Sequence, residues 1–258
     1  MAILAACGSS DSSAATTTTS ASPTTSAAAS EPSATEAPAE ETTEAEALAE
    51  EAAPSEEAPA DPTALQMQWV ELGFVSAYVL VRGSEAAVVD TGVPGSGAAI
   101  NTALTDLGLA PADVRSIILT HNHGDHVGGL GELEGAMTNA TVYAGTGDIG
   151  TIQTSLNLSE VGDGDEVFGL GIVNTPGHTA GSISVFDTGT GLLVAGDAIN
   201  GDGSGGITGA NPNFSEDLDA ANASVSKMAA LMPQVAAFGH GGALVSYTHL
   251  TLPTILRV

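Results

Sequence analysis

Cysteine, basic residues and aromatic residues are all scarce in this sequence of 258 residues. It contains one cysteine, four lysines and arginines together, and 3% aromatic residues. A single cysteine excludes an intramolecular disulfide and a cysteine-rich zinc site. No run of apolar residues approaches the roughly 20 residues that a membrane-spanning helix needs.

Acidic residues greatly outnumber basic ones, and the formal net charge is -27 at pH 7. Between residues 64 and 244 the only basic residues are Arg82, Arg115 and Lys227, against nineteen acidic ones. Nucleic acids are bound through several cationic contacts to phosphate groups. The composition therefore excludes a nucleic-acid partner and favours a small-molecule substrate that is not polyanionic.

Residues 8–63 consist mainly of Ser, Thr, Ala, Pro and Glu, with no aromatic and no basic side chain. Such a segment cannot bury enough apolar surface to offset the entropy of ordering it. We predict a disordered acidic tether, whose ends would lie roughly 40 Å apart if it follows the scaling of flexible linkers. The alternative is a short helix over EAEALAEEAA, residues 44–53.

The tetrapeptide LAAC, residues 4–7, resembles the lipobox of bacterial lipoproteins, in which the cysteine becomes the lipidated N-terminus. Only six residues precede Cys7, fewer than a secretory signal contains. We therefore interpret residues 1–7 as a truncated lipoprotein signal. The resemblance implies a domain outside the cytoplasm, anchored to the bacterial cell membrane only through lipid on Cys7. The alternative is an incidental cysteine.

The C-terminal stretch VSYTHLTLPT, residues 245–254, resembles the translated read-through of an adapter used in sequencing libraries. We predict that residues 245–258 are a non-native tail and that the domain, residues 64–244, is truncated at its C-terminus. His249 is therefore excluded from the candidate site. The alternative is a genuine C-terminal strand rich in Thr and Leu.

Residues 64–244 alternate between apolar runs typical of strands and stretches with helical periodicity, which predicts an α/β fold. One helix is predicted over 96–108, closed by Gly108, and a later one is predicted to begin at Ser215 as N-cap. The later helix has Leu218, Ala221, Val225, Met228 and Leu231 on one face. The predicted strands are MQWVEL (67–72), SAYVLV (76–81), EAAVVDTG (85–92), VRSIILT (114–120), TVYAG (141–145), DEVFGLGIVNT (165–175), GSISVFD (181–187) and GLLVAGD (191–197). QVAAFGHGG (234–242) is predicted to be a last strand followed by a Gly-rich loop.

Five histidines follow the ends of predicted strands in this domain, and two aspartates are similarly placed. A lone buried histidine is usually a satisfied core residue, but seven such residues at strand ends favour a metal site, for which imidazole and carboxylate are common ligands. His121 and His123 alternate in sequence, so their rings point the same way in extended backbone. The candidate ligands are His121, His123, Asp125, His126, His178, Asp197 and His240.

Five short motifs resemble those of the metallo-β-lactamase superfamily, in the same order, across residues 66–242. They are VVDTG (88–92), HNHGDH (121–126), TPGHTAGS (175–182), AGDAI (195–199) and FGHGG (238–242). The resemblance implies a four-layer αββα sandwich with its site at one edge of both sheets. It also implies that Asp90 orients the ligand loop, a role compatible with that of a turn-forming residue.

Position by position, the resemblance assigns His121, His123 and His178 to a first metal ion, and Asp125, His126 and His240 to a second, with Asp197 bridging. The implied cofactors are two Zn²⁺ ions, with iron as the alternative. Two such ions activate water and polarise a carbonyl group, and Asp125 would orient the nucleophile or carry its proton. The implied function is hydrolysis of an ester, thioester, lactone or amide.

Two other functions remain open at this point. One is that of a mononuclear-iron oxidoreductase of the persulfide dioxygenase type, which shares much of the signature. The other is a surface lipoprotein that binds metal without catalysis. Within the hydrolases, glutathione thioesterases hold their substrate with cationic groups and a C-terminal extension; this sequence shows neither, and the predicted truncation accounts for the absence of the extension. The sequence therefore predicts a metallohydrolase without naming its substrate.

Overall fold

The structure is a computed structural model that describes residues 64–241 and the backbone of Val245 and Ser246. The predicted lipoprotein signal (1–7), the tether (8–63) and His249 lie outside the described residues. Within residues 64–241 the longest helix has 13 residues, and no helix is long and apolar enough to cross a lipid bilayer.

The first of two large sheets has six strands, in the order β1-β2-β3-β4-β5-β6. The first two pairs are antiparallel, and β3, β4, β5 and β6 run parallel to one another. Its strands are β1 Gln66–Glu71, β2 Ser76–Arg82, β3 Glu85–Val89, β4 Val114–Leu119, β5 Thr141–Gly145 and β6 Asn157–Val161.

The second large sheet also has six strands, in the order β14-β13-β10-β9-β8-β7. A separate two-stranded sheet pairs β11 with β12. These strands are β7 Glu166–Val167, β8 Leu170–Asn174, β9 Ile183–Asp187, β10 Leu192–Val194, β11 Asn200–Gly201, β12 Ile207–Gly209, β13 Val235–Ala237 and β14 Val245–Ser246. Strand β14 falls at the start of the predicted non-native tail and pairs antiparallel with β13. That residues 245–258 contribute nothing to folding stays a prediction.

The described helices are α1 Gly97–Asp106, α2 Gly124–Val127, α3 Leu130–Leu133 and α4 Leu218–Ala230. Helix α1 buries Ile100, Ala103 and Leu104, at the spacing that predicted it. Gly108 closes it with a φ of 74°, a left-handed conformation that glycine adopts without steric cost. Helix α4 likewise buries Ala221, Val225 and Met228 on one face.

Three apolar clusters lie between the layers of the domain and pack them together. One packs α1 and α3 against the first sheet, the second fills the space between the sheets, and the third packs α4 against the second sheet. Strand β4 contributes to two of them, because Ile117 faces α1 and Ile118 faces the second sheet. Both faces of this strand are buried, which explains its unbroken apolar run. The fold is the expected αββα sandwich.

The N-cap of α4 is Asp217, so the prediction of Ser215 was wrong. The Asp217 carboxylate accepts a hydrogen bond from the amide N–H of Ala220, three residues into the helix, at 3.0 Å. The Ser215 hydroxyl instead donates to the carbonyl of Asn211 at 2.8 Å, which closes the preceding turn.

The segment DEVFGLGIVNT, predicted as one strand, forms the hairpin β7–β8 instead. Phe168 and Gly169 have φ values of 57° and 73° at its turn, the conformation that a tight two-residue hairpin loop requires. Strand β6 was missed because four of its five residues are partly or fully exposed, so NLSEV carries no apolar pattern. These differences leave the placement of the candidate ligands unchanged.

Candidate metal centre

The seven candidate ligands converge at one end of the two sheets. His121 and His123 follow β4, and the short helix α2 then turns the chain so that Asp125 and His126 face the same space. Strands β10 and β13 run parallel, and their exits supply Asp197 and His240. The loop after β8 supplies His178. The structure therefore brings together every residue that the motifs indicated.

The first cluster consists of three imidazole nitrogens in mutual contact. His121 Nε2 lies 3.0 Å from His123 Nδ1, and His178 Nε2 lies 3.2 Å and 2.9 Å from these two atoms. Zinc with nitrogen ligands at about 2.1 Å in tetrahedral geometry would hold the nitrogens about 3.4 Å apart. The spacing of the three atoms is close to that value.

The second cluster consists of Asp125, His126 and His240. His240 Nε2 lies 3.2 Å from Asp125 Oδ2 and 3.4 Å from His126 Nε2. His126 Nε2 and Asp125 Oδ2 are 3.9 Å apart. Two nitrogens and one carboxylate oxygen thus surround a second point, and a cation such as zinc takes both donor types.

Asp197 lies between the two clusters. Its Oδ2 atom is 3.5 Å from His178 Nε2 in the first cluster and 3.2 Å from His240 Nε2 in the second. Its Oδ1 atom is 3.3 Å from His126 Nε2, without the geometry of a hydrogen bond. One carboxylate therefore faces both clusters, as expected of a bridging ligand.

Gly239 makes room for this carboxylate. A Cβ atom at residue 239 would collide with Asp197 Oδ1 and with the His126 ring. Any side chain at this position would therefore displace Asp197 from between the clusters.

Three of the histidines are oriented by contacts at the ring nitrogen that faces away from the site. His121 Nδ1 contacts the Thr120 hydroxyl at 3.1 Å, and His240 Nδ1 donates to the carbonyl of Phe74 at 2.7 Å. His126 Nδ1 lies 2.8 Å from Asp90 Oδ2. With Nδ1 engaged in this way, the Nε2 atoms are left to face the clusters.

Asp90 also fixes the start of the ligand loop. Its carboxylate accepts hydrogen bonds from the Thr120 amide at 2.7 Å and from the Thr120 hydroxyl at 2.8 Å. Asp90 itself adopts a φ of 60°, so it also forms the turn after β3. Both roles expected for Asp90 are confirmed.

The ionisation of the site reflects its burial and its carboxylates. Burial disfavours a charged imidazole at His126, but the carboxylates of Asp90 and Asp197 outweigh it and raise the pKa of His126 to about 10. Burial, followed by the neighbouring His126, holds the pKa of His121 well below its ordinary value. Burial acts to raise the pKa of Asp197, yet the nearby His126 and His240 keep it well below its usual range. The carboxylates thus favour positive charge here, which a metal ion would supply in place of protons.

The donor set fits a metal ion better than it fits internal hydrogen bonding. Each neutral imidazole has one N–H donor, so three ring nitrogens in mutual contact cannot all be satisfied by one another. Asp197 Oδ1 and His178 Nδ1 are also among the few buried side-chain atoms in residues 64–241 that have no hydrogen-bond partner. An unpaired buried carboxylate oxygen is costly, and a cation beside it removes that cost.

A cleft of about 1010 Å³ opens over the two clusters. Its rim carries Phe74 and Phe214, whose exposures of 65% and 68% are unusual for phenylalanine. Phe74 lies at the β1–β2 turn and stacks on the His240 ring with the planes 3° apart and the centroids 5.9 Å apart. Neither phenylalanine belongs to one of the five motifs, and neither was predicted to lie at the site.

The cleft is lined by three carboxylates and by no lysine or arginine. Asp125, Asp197 and Asp202 line it. The three basic residues within 64–241 are each engaged elsewhere, in the pairs Arg82–Asp187, Arg115–Glu85 and Lys227–Asp163. Within the described residues, no lysine or arginine side chain faces the cleft.

The sequence matches a family model described as the metallo-beta-lactamase superfamily over residues 70–149 and 155–240. It is 31% identical over 196 residues to the "Uncharacterized protein YobT" of Bacillus subtilis strain 168, which covers 65% of this chain and 83% of YobT. It is 34% identical over 159 residues to a hydroxyacylglutathione hydrolase of Dechloromonas aromatica, and this match covers 58% of this chain and 56% of that enzyme. The chain thus spans little more than half of that hydrolase.

Solved structures show the same fold. A metallo-beta-lactamase family protein from Thermus thermophilus superposes with a TM-score of 0.55 at 26% identity, covering 71% of this chain and 75% of that protein. The family match covers well over half of the sequence. The layers of the fold and the cluster of candidate ligands agree with it. The chain belongs to the metallo-beta-lactamase superfamily.

Proposed function

We propose that this domain is a metal-dependent hydrolase that uses two zinc ions to cleave an ester, thioester, lactone or amide. The observation that carries the proposal is the pair of adjoining donor clusters with Asp197 between them at the floor of a cleft. The similarity to hydroxyacylglutathione hydrolases supports the same reaction class.

The residues would divide between two sites. His121, His123 and His178 would hold the first ion; Asp125, His126 and His240 would hold the second; Asp197 would contact both. When bound, two zinc ions lower the pKa of a shared water from ~15.7 towards ~7 and polarise the substrate carbonyl. The occurrence of a complete second donor set favours this arrangement over one with a single iron.

Asp125 is the candidate catalytic residue. Its side chain is 29% exposed, lines the cleft and lies 3.2 Å from His240 Nε2. In this position its carboxylate would orient the attacking water and accept its proton, for delivery to the leaving group. No serine or cysteine nucleophile is required.

The substrate is proposed to be small and uncharged or cationic, with an apolar acyl group. Phe74 and Phe214 would contact that group at the rim of the cleft. The carboxylate of Asp202, which is not a proposed ligand, would repel anionic groups of a substrate that lie away from the metal ions, and no lysine or arginine of the described residues lines the cleft to bind such groups. A glutathione thioester carries carboxylates, so it would be a poor substrate despite the relationship to hydroxyacylglutathione hydrolases.

The test is turnover by the purified full-length chain after chelation and after zinc is restored. An uncharged aryl ester with an apolar acyl group should be hydrolysed only by the zinc-loaded protein, and faster than a hydroxyacylglutathione. Faster cleavage of the glutathione thioester would contradict the proposed substrate. Zinc binding without hydrolysis of any ester, thioester, lactone or amide would favour the non-catalytic alternative.

A further inference from the structure

Asp148 is a buried carboxylate that no motif indicated. It lies in the turn after β5, is 2% exposed, and lies apart from the seven candidate ligands in sequence. It begins the 3₁₀ turn Ile149–Thr151, yet its side chain makes no capping hydrogen bond to that turn. Its burial therefore calls for other partners.

All three hydrogen bonds of the Asp148 carboxyl group go to the loops that carry the first cluster. Oδ2 accepts from the amide of Asn122 at 3.0 Å and from the hydroxyl of Thr179 at 2.7 Å, and Oδ1 accepts from the amide of Gly181 at 2.9 Å. Asn122 lies between His121 and His123, and Thr179 follows His178. One side chain thus joins the two segments that must meet for the three histidines to converge.

Three glycines allow the close backbone approach that this contact requires. A Cβ atom at Gly181 would collide with Asp148, and one at Gly145 or Gly147 would collide with the backbone at residues 180 and 181. The turn after β5 and the loop after His178 therefore pack backbone against backbone. Glycine at these positions lets the carboxyl group reach both ligand loops.

We propose that Asp148 is a positioning residue that sets the metal affinity of the first cluster. This inference rests on the proposed function, because it presumes that His121, His123 and His178 bind a metal ion. Groups that orient ligands from behind typically change metal affinity by 10–100-fold when they are mutated. Asparagine at position 148 would present one acceptor oxygen and one NH₂ group, and the NH₂ group would face an N–H or hydroxyl donor.

The experiment measures zinc affinity by chelator competition in two single-site backgrounds of the full-length chain. His240→Ala should retain the first site, and His178→Ala should retain the second. Asp148→Asn should weaken zinc binding about 10–100-fold in the His240→Ala background and less than threefold in the His178→Ala background. The cobalt absorption spectrum of the first site should change in parallel.

Asp187→Asn is the matched control. Asp187 is equally buried, at 3% exposure, and also accepts three hydrogen bonds, from Arg82 and from the amide and hydroxyl of Thr190. None of these partners carries or flanks a ligand. This variant should lose stability without changing zinc affinity in either background.

The outcomes separate the two proposals. If the parent chain binds no metal, the proposed function and this inference both fail. If the parent binds zinc but Asp148→Asn leaves the first site unchanged, weakens both sites equally, or matches Asp187→Asn, only the inference is overturned.

Thr179→Val is a second variant that tests the inference if Asp148→Asn does not fold. It removes one of the three hydrogen bonds and should weaken the first site alone, and unchanged affinity would overturn the inference.

Discussion

Asp90 and Asp197 approach His126 from opposite sides. Asp90 contacts the nitrogen that faces away from the site, and Asp197 lies beside the nitrogen that faces into it. Their negative charge explains why the pKa of His126 is raised to about 10 although the ring is fully buried. A ligand histidine must be neutral, so we expect metal binding at His126 to release a proton and to weaken as the pH falls.

Phe214 is the residue at which the proposed substrate preference is tested most simply. It is 68% exposed and lines the cleft, so little of the fold depends on it. Phe214→Ala should raise KM for an ester with an apolar acyl group about tenfold and leave kcat nearly unchanged, because the contact exists before and during reaction. Met232→Ala, at an exposed residue outside the cleft lining, is the control. An unchanged KM would remove Phe214 from the substrate site.

The convergence of the seven candidate ligands could be predicted from sequence because local motifs carry them. HNHGDH holds four of them within six residues, and the other three each follow an apolar strand in a short glycine-containing motif. Asp148 could not be predicted in this way. Its partners lie 26 to 33 residues away along the chain, and only the packing of the folded loops brings them together.

At the scale of secondary-structure elements, Tyr78 joins the two sheets beneath the candidate metal centre. It lies in β2 of the first sheet, and its hydroxyl donates to the carbonyl of Phe238 at 2.7 Å and accepts from the Phe238 amide at 3.0 Å. Phe238 follows β13 of the second sheet and precedes His240 by two residues. This pair of hydrogen bonds therefore fixes the strand exit that presents His240.

Tyr78→Phe should lower the free energy of unfolding by about 1–3 kcal/mol, because it leaves a buried N–H and a buried carbonyl without partners. Urea unfolding of the chelator-treated protein measures the change. Tyr143→Phe, at a half-buried tyrosine of β5, serves as control and should stay within about 0.5 kcal/mol. A loss at Tyr78 no larger than that at Tyr143 would show that the pair does not join the sheets.

Arg82 and Asp187 form a second connection between the sheets. Arg82, at the end of β2, donates to Asp187 at the end of β9 and to the carbonyls of Phe168 and Gly169 in the β7–β8 turn. Burial acts to raise the pKa of Asp187, but hydrogen bonds from Thr190 and Arg82 lower it below its ordinary value. Asp187 therefore stabilises the fold when it is ionised.

The lowered pKa of Asp187 determines how the stability of the protein depends on pH. The stabilisation from Asp187 is fully present above its unfolded pKa of about 3.9 and is lost as the pH falls through its lower folded pKa. Asp187→Asn should therefore lower stability near pH 7 and reduce the loss of stability below about pH 4, as followed by urea unfolding with chelator present. If the free energy of unfolding of the variant fell below pH 4 as steeply as that of the parent, this role of Asp187 would be contradicted.

The elements themselves were predictable where burial imposes a pattern. Strand β4 is buried on both faces and reads as a continuous apolar run, and α1 and α4 bury residues at helical spacing. Strand β6 is exposed at most positions and lacks any such pattern. The start of α4 was misplaced because Ser215 and Asp217 are both good N-caps, and only the local turn decides between them.

At the scale of the whole chain, we propose that the domain is held outside the cytoplasmic membrane through lipid on Cys7, which lies outside the described residues. The lipobox-like LAAC and the acidic segment after it support this proposal. Expressed with its upstream coding sequence, the protein should carry lipid and fractionate with membranes, and Cys7→Ala should abolish both. Recovery of the parent as an unlipidated cytosolic protein would refute the proposal.

The central claim is a dinuclear zinc centre, and the metal content of the purified full-length chain tests it most directly. Elemental analysis after dialysis should find two zinc ions per chain in the parent protein and one in His240→Ala, because the first cluster does not include His240. His178→Ala should lose the first ion instead. One iron ion per chain in the parent, or no metal at all, would contradict the account.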